Sequence, residues 1–410
     1  MAKTRMTKQE KSWVLYDVGN SAFVLLSSAL IPVYFKSIAE PGSSVVVAWG
    51  YAETVASLIL ALLMPILGSL ADYKGNKKKF FMATVIIGMI CCALLGFPGQ
   101  ALPFLILYVV AAVMLNGSMV FYDAFLVDAA ENDDRLDMVS SHGYAWGYIG
   151  SCLPFIASLV IVLFGSNFGI DMSTGMKIAF LITAVWWFVF SLPLVRNVHQ
   201  VNYKEDNGAG IKLGEVMRGL VTTLKSIAKD KRLLYFVIAY FFYIDGVHTI
   251  IKMSTSYGTD LGIDATQLVL ALLMTQFVAF PSAIAYGKLA GKFGTRRMLC
   301  IAVFAYLCIT LFAAFLLRSA LEFWILAFAV GLFQGGIQAL SRSEFGKLIP
   351  KDHANEYYGF FDIFGKYAAI LGTFLMSVFT QVTGNASLGV LSIAVLFIVG
   401  IVFLARMPKK

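Results

Sequence analysis

The sequence predicts an all-α membrane protein: twelve transmembrane helices in two six-helix bundles related by pseudo-two-fold symmetry. Three observations carry that reading. Hydrophobic residues make up 59% of the 410-residue chain and charged residues 14%, against roughly 45–50% and 25% in soluble domains. With a mean hydropathy of +0.79, a water-soluble fold of this length could not bury its apolar surface. Twelve stretches approach the ~20 apolar residues that a bilayer-crossing helix needs. A short loop motif also occurs twice, about half a chain apart.

The expected spans are 12–38, 45–70, 80–97, 101–130, 138–165, 176–195, 232–252, 266–288, 298–317, 321–345, 357–382 and 386–406. The first follows a basic start but is too long for the apolar core of a cleaved signal peptide, so it is expected to be retained. An even number of spans returns both termini to one side. Lys3, Arg5, Lys8 and Lys11 lie there, with Lys74, Lys77, Lys78 and Lys79, the basic residues of the 196–232 loop, Lys288, Lys292, Arg296, Arg297, Arg406, Lys409 and Lys410. The opposite loops hold only Lys36, Lys177, Lys252 and Arg318. Positive charge collects on the cytoplasmic side, which predicts cytoplasmic N- and C-termini. Topology therefore accounts for the net charge of +8, and no nucleic-acid partner is expected.

The domain division expected is an N-terminal bundle at 1–195, a cytoplasmic linker at 196–231 and a C-terminal bundle at 232–410. Within the linker, IKLGEVMRGLVTTLKSIAKDKR spaces apolar residues at helical intervals among lysines. It reads equally as an amphipathic helix on the inner membrane surface or as a solvated linker helix. The repeated loop is Gly68-Ser-Leu70-Ala71-Asp72-Tyr-Lys74-Gly75-Asn-Lys77-Lys78 after the second span. Its second copy, after the eighth, is Gly287-Lys-Leu289-Ala290-Gly291-Lys292-Phe-Gly294-Thr-Arg296-Arg297. Both read G-x-L-A-x-x-x-G-x-basic-basic, an internal repeat that joins the second and third span of each half.

This loop resembles the signature of the major facilitator superfamily. The first copy matches closely, whereas the second has Gly291 in place of the acid. A narrower resemblance lies in the opening Trp13-Val-Leu-Tyr16-Asp17-Val-Gly-Asn20-Ser21-Ala22-Phe23, with Gly143–Gly150, Tyr243–Val247 and Gln334–Ser343 following in order. Together these are similar to the vacuole-effluxer family, which includes autophagy-linked amino-acid efflux permeases and bacterial members. The resemblance implies a central cavity between two bundles, alternating access by rocking, and transport of an amino acid or related small metabolite. It also implies gating by Gly68, Asp72, Gly75, Lys77 and Lys78. The Asp72 carboxylate would meet a helix N-terminus of its own half. The basic residues would latch acidic partners, for which Glu131, Asp133, Asp134 and Asp137 on the next cytoplasmic loop are candidates that read equally as solvated. With no acid at Gly291, the latch is expected to be asymmetric and stronger in the N-terminal half.

A charge inside the bilayer costs about 2.5–3.5 kcal/mol on insertion scales, so ionisable groups within spans are functional candidates. Asp17 lies in the first span, Glu53 in the second, Asp123 and Asp128 in the fourth, Asp245 and His248 in the seventh, and Asp362 and Lys366 in the eleventh. Spans three, six, nine and twelve hold no acid, as expected of the lipid-facing third helix of each triplet in the facilitator fold. Asp245 is roughly 13 residues into its span and so ~20 Å deep at 1.5 Å per residue. Asp128 sits near the inner end, where a gate or solvated role fits better. Asp245 and His248 share a helix face and form either a proton-accepting site or a structural hydrogen-bonded pair. Asp362 and Lys366 form either an internal ion pair or a lysine for a substrate carboxylate with Asp362 competing. The proton-coupling candidates are thus Asp245, His248, Asp17 and Asp362. The substrate-binding candidates are Tyr16, Asp17, Asn20, Asn116, Tyr122, Asp123, Trp146, Tyr240, Tyr243, Gln276, Gln334, Gln338, Lys366 and Tyr367. Their polar groups need partners at lipid depth, although each aromatic ring serves packing equally well.

Enzyme chemistry is not expected. The four histidines are scattered, and no H-E-x-x-H, G-x-S-x-G or P-loop occurs. The five cysteines lie in apolar runs without metal or disulfide spacing, so no metal or cofactor is expected. The sequence as a whole predicts a secondary transporter of a small polar molecule, proton-coupled and monomeric in a bacterial inner membrane. An uncoupled facilitator or exchanger, or a non-transporting sensor on the same fold, is the alternative.

Overall fold

The computed structural model describes residues 5–39, 45–205, 213–260 and 262–408. Helices follow one another as α1 (Lys8–Ile38), α2 (Val45–Ala71), α3 (Asn76–Leu94), α4 (Ala101–Ala124), α5 (Leu126–Ala129), α6 (Leu136–Phe164), α7 (Met172–Asn197) and α8 (Leu213–Lys229). Then come α9 (Lys231–Asp260), α10 (Ala265–Phe293), α11 (Thr295–Phe315), α12 (Ala320–Leu348), α13 (Ala354–Thr383), α14 (Ala386–Ser392) and α15 (Ala394–Arg406). Among the described residues, β pairing is confined to one bridge between Tyr73 and Lys204.

Among the described residues, eleven helices are long and apolar enough to cross a membrane. The third expected span is α3, whose 19 residues open on Lys77, Lys78 and Lys79 before the apolar run begins. The fourth expected span breaks at Phe125, whose amide donates to the carbonyls of both Phe121 and Tyr122 (2.9 and 3.1 Å). The twelfth breaks at Ile393, between α14 and α15. Helix starts carry side-chain caps. Thr7 and Glu10 form a reciprocal capping box on α1 (3.2 and 2.8 Å), Ser319 and Glu322 do the same on α12, and Asp171 caps α7.

The chain forms two compact units. Unit 1 comprises Met1–Glu131, Trp146–Leu220 and Lys351–Gly359, and unit 2 comprises Asn132–Ala145, Val221–Pro350 and Phe360–Lys410. In unit 1, α1 packs on α7, α3 on α4 and α7, and α2 on α4. Its core holds Trp13, Tyr16, Phe23, Phe81 and Trp187, all fully buried. Gly88 lets α3 approach Trp187, since a Cβ there would lie 2.7 Å from the indole. In unit 2, α10 packs on α12, α9 on α15, and α11 on α12 and α15, around Tyr243, Tyr306 and Phe397. Each unit contains the leading turns of a helix whose remainder belongs to the other: residues 351–359 lead into α13, and 132–145 into α6. Large apolar side chains such as Leu62, Ile106, Leu163, Phe304 and Val395 are exposed, which suits a protein whose surrounding solvent is hydrocarbon rather than water.

Candidate functional site

In unit 1, four of the expected substrate residues form one hydrogen-bonded network on α1 and α4. Trp13 stacks on Tyr122 with ring centroids 4.3 Å apart, and its indole N–H donates to the Tyr122 carbonyl (2.8 Å). The Tyr122 hydroxyl donates to Asp17 Oδ2 (2.8 Å). Asn20 donates to Asp17 Oδ1 (3.3 Å) and to the Tyr16 carbonyl (3.0 Å). Tyr16 and Ser118 share a hydroxyl hydrogen bond of 2.5 Å. All of these side chains are buried. Gly147 on α6 lies against Asp17 and Ser21. Of the remaining unit 1 candidates, Asn116 donates to Ala112 of its own helix (2.8 Å), Asp123 is half-buried, and Trp146 is 46% exposed.

Unit 2 reproduces part of this arrangement. Tyr243 and Ser341, on α9 and α12, share a hydroxyl hydrogen bond of 2.6 Å, the counterpart of Tyr16 and Ser118. Tyr240 stacks on Phe361 at 4.0 Å and lies against Gly365. Asp245 is fully buried. Its Oδ1 accepts from the Gly372 backbone N–H of α13 (2.8 Å) and from the Thr249 hydroxyl (3.3 Å), while Oδ2 has no hydrogen-bond partner among the described residues. A side chain at Gly372 would overlap Thr249 and Asp245, so glycine is what lets the two helices meet there. An open cleft between α9, α10 and α12 brings Gln276 and Gln334 together with Thr275 and Ser254, among Leu268, Phe323, Leu326 and Val330. Apolar walls with a few convergent polar groups are the usual character of a small-molecule site. His248, Gln338 and Asp362 are half-buried. The side chains of Lys366 and Tyr367 lie outside the described residues.

The expected gating residues converge in unit 1. Asp72 is 1% exposed. Its Oδ1 accepts from the Asn355 backbone (2.8 Å) and side chain (2.7 Å), and its Oδ2 from the Glu356 N–H (3.1 Å). It therefore caps the N-terminus of α13, where orphan N–H groups and the helix dipole favour a carboxylate. That helix comes from the second half of the sequence, which corrects the expectation of a helix from the first. Gly68 permits the approach, since a Cβ there would sit 2.5 Å from the Asn355 carbonyl. Gly75 makes the following turn at φ 77°. Burial pushes the Asp72 carboxyl up to about 7, against the lowering pull of Lys204, Lys77 and Asn355. Asp72, His353 and Glu356 lie within 4.8 Å of one another, and the Lys204 ammonium sits by the two carboxylates, 3.0 Å from Glu356 and 3.9 Å from Asp72.

Lys77 is fully buried and pairs with Asp128 Oδ2 at 2.6 Å, so its partner is Asp128 rather than any of the four acids expected. Lys78 lies 3.4 Å from His199. Asp137 instead serves the second copy of the loop. It accepts from Thr295 (2.7 Å), Ser343 (2.6 Å) and Lys347 (2.6 Å), all within unit 2. The acid missing at Gly291 is thus supplied from the start of α6, and the second loop is held by a carboxylate after all. Sequence reasoning also missed Arg342. It is 1% exposed, donates from Nε and a terminal nitrogen to Ser140 (2.9 and 3.0 Å), and covers the Tyr144 ring at 4.3 Å. The available signal was a lone arginine inside an apolar span.

The chain matches the family described as vacuole effluxer Atg22 like over residues 43–410. It is 46% identical over 417 residues to the uncharacterized MFS-type transporter YxiO of Bacillus subtilis, covering 99% of this chain and 96% of that one. Autophagy-related protein 22 of Saccharomyces cerevisiae is 24% identical over 405 residues, covering 90% and 74%. Among solved structures, the human organic anion transporter MFSD10 superposes with a TM-score of 0.76 at 12% identity, over 97% of this chain and 99% of that one. The major facilitator superfamily transporter FucP in its outward conformation gives 0.73 at 13% identity, over 97% and 98%.

Proposed function

The chain belongs to the Atg22-like vacuole effluxer family and has the major facilitator fold, and we propose that it moves an amino acid or related small polar metabolite by alternating access, coupled to protons. It is a multi-pass membrane protein of a transporter family, not an enzyme. The carrying observation for coupling is Asp245. Its carboxyl is buried in α9, and among the described residues one of its oxygens has no hydrogen-bond partner and no cation pairs with it. An ionised carboxylate so placed is costly. A proton on Oδ2 neutralises it without disturbing the bonds to Gly372 and Thr249. The cleft at Gln276 and Gln334 supports the substrate class, with amide donors for a carboxylate and apolar walls for a side chain. The charge asymmetry of the loops supports cytoplasmic termini.

The test uses purified protein in liposomes, after a thermal-shift screen of amino acids and related metabolites has supplied a substrate. Wild type is expected to accumulate it under a pH gradient. Asp245→Asn is expected to lose accumulation but retain counterflow. An Asp245→Asn variant that accumulates as well as wild type would remove the coupled reading and leave an uncoupled facilitator or exchanger. Binding without flux in wild type would identify a sensor.

A further inference from the structure

Residues 198–205 follow α7 and form no helix, yet they are bonded along their length to the α2–α3 loop and its surroundings. Gly75 opens α3 without a side chain to cap it. Gln200 supplies the cap: its Oε1 accepts from the N–H groups of Gly75 (2.9 Å) and Lys77 (3.4 Å). The same side chain donates to the carbonyls of Ala71 (3.1 Å) and Asp72 (3.2 Å). Asp128, already paired with Lys77, gives its Oδ1 to the N–H groups of Val201 (3.1 Å) and Asn202 (2.9 Å) and to the Asn202 amide (2.8 Å). The Lys204 N–H donates to the Asp72 carbonyl (2.8 Å), and the Lys204 carbonyl accepts from Lys74 (3.3 Å). This backbone strap brings the Lys204 ammonium between two buried carboxylates, Asp72 and Glu356.

We propose that Lys204 is a positioning residue of the cytoplasmic gate: its ammonium, carried by the linker, is what allows Asp72 to dock on the first turn of α13 beside a second buried acid. The proposal rests on the gating role of the Asp72 loop and not on which substrate is moved. Two carboxylates this close repel unless a cation or a proton intervenes. The charged groups facing Asp72 are Lys204, Glu356, His353 and, from α3, Lys77. Asp352 lies behind His353 at 3.7 Å. With Lys204 gone, protonation of Asp72 relieves the repulsion, and loss of the cation that most lowers this carboxyl makes the proton easier to hold. The gate of a Lys204→Met protein is therefore tighter at pH 6 than at pH 8, and the difference from wild type is largest at the higher pH.

The experiment is hydrogen–deuterium exchange of the full chain in lipid nanodiscs, with no substrate needed, so its outcome is separable from that of the transport assay. Peptides covering 68–78 and 351–359 are expected to exchange at least tenfold faster in Lys204→Met than in wild type at pH 8, and within about twofold at pH 6. Lys204→Met/Glu356→Gln, which removes the second acid, is expected to recover protection at pH 8. The pH response is expected to survive His353→Gln in the Lys204→Met background. Unchanged protection of Lys204→Met at pH 8 overturns the proposal. So does equal loss at both pH values without recovery by Glu356→Gln, which would mark a merely structural lysine. A response that disappears with His353→Gln also overturns it, by assigning the titration to the imidazole.

Discussion

Replacing Lys77 with methionine breaks an ion pair whose two side chains are both fully buried and whose atoms lie 2.6 Å apart. At an effective dielectric of 20 the direct attraction is about 6 kcal/mol, most of it offset by desolvation, and breaking such a pair costs about 3–5 kcal/mol because one charge is left alone. The local bonds decide where in that range each variant falls. In Lys77→Met, Asp128 keeps three N–H donors from Val201 and Asn202, so the cost lies near 3 kcal/mol, at the lower end. In Asp128→Asn, Lys77 keeps the Ala124 carbonyl at 3.3 Å and the Phe125 ring at 5.1 Å but faces an amide in place of the carboxylate, so the cost lies near 5 kcal/mol, at the upper end. The double variant removes both charges and retains the acceptor oxygen, so it is expected to lose only about 1–2 kcal/mol, far from additive. In detergent, thermal unfolding at about 2–4 °C per kcal/mol for units of this size predicts melting temperatures about 6–20 °C below wild type for the single variants. The double variant should sit well above both. Single variants that melt within about 2 °C of wild type, or a double variant as unstable as the two losses combined, would refute this account.

Three further outcomes follow. Asp137→Asn should destabilise unit 2 by about 1–3 kcal/mol by weakening the acceptor for Lys347, Thr295 and Ser343. Lys347→Met in that background should add little, which a double-mutant cycle on thermal stability checks. Gly150→Ala places a Cβ 2.5 Å from Val18 and should lower expression and melting temperature, with Val18→Ala restoring much of the loss. Asp72 has its carboxyl raised from 3.8 to about 7 in the folded chain, so its stabilising contribution is complete below the unfolded value and is lost as pH rises through 7. That contribution can reach about 4 kcal/mol between those limits. Wild-type melting temperature should therefore fall more steeply from pH 5.5 to 8 than that of Asp72→Asn, and parallel curves would contradict the assignment.

The spans were legible because a 20-residue apolar run needs no tertiary context to interpret. The repeated loop was legible because the same glycines and basic residues recur at the same spacing. What hid from sequence was pairing across distance. Nothing near Lys77 in the chain selects Asp128 over Glu131 or Asp133, since the break at Phe125 and the short α5 decide which acid reaches it. Gly291 signalled a missing charge truthfully, but its replacement, Asp137, arrives from a different helix. Residues 198–205 have the composition of an ordinary linker, and Gln200 carries no mark of a helix cap. Arg342 was visible as a charge in an apolar span. The cost argument that marks a buried carboxylate applies equally to its guanidinium.

The turn at residues 72–77 also has a bearing on how the chain is made. Its amides and carbonyls find their partners in Gln200 and Lys204, and its carboxylate finds Asn355 and Glu356. A nascent chain that has just emerged past α3 owns none of these. The turn must wait in water, uncapped, while α4 to α7 are made, and its carboxylate finds its partners only once the start of α13 has followed. Lysines at its flank can hold the orientation of the first helices during that delay, because their effect on topology needs no folded partner.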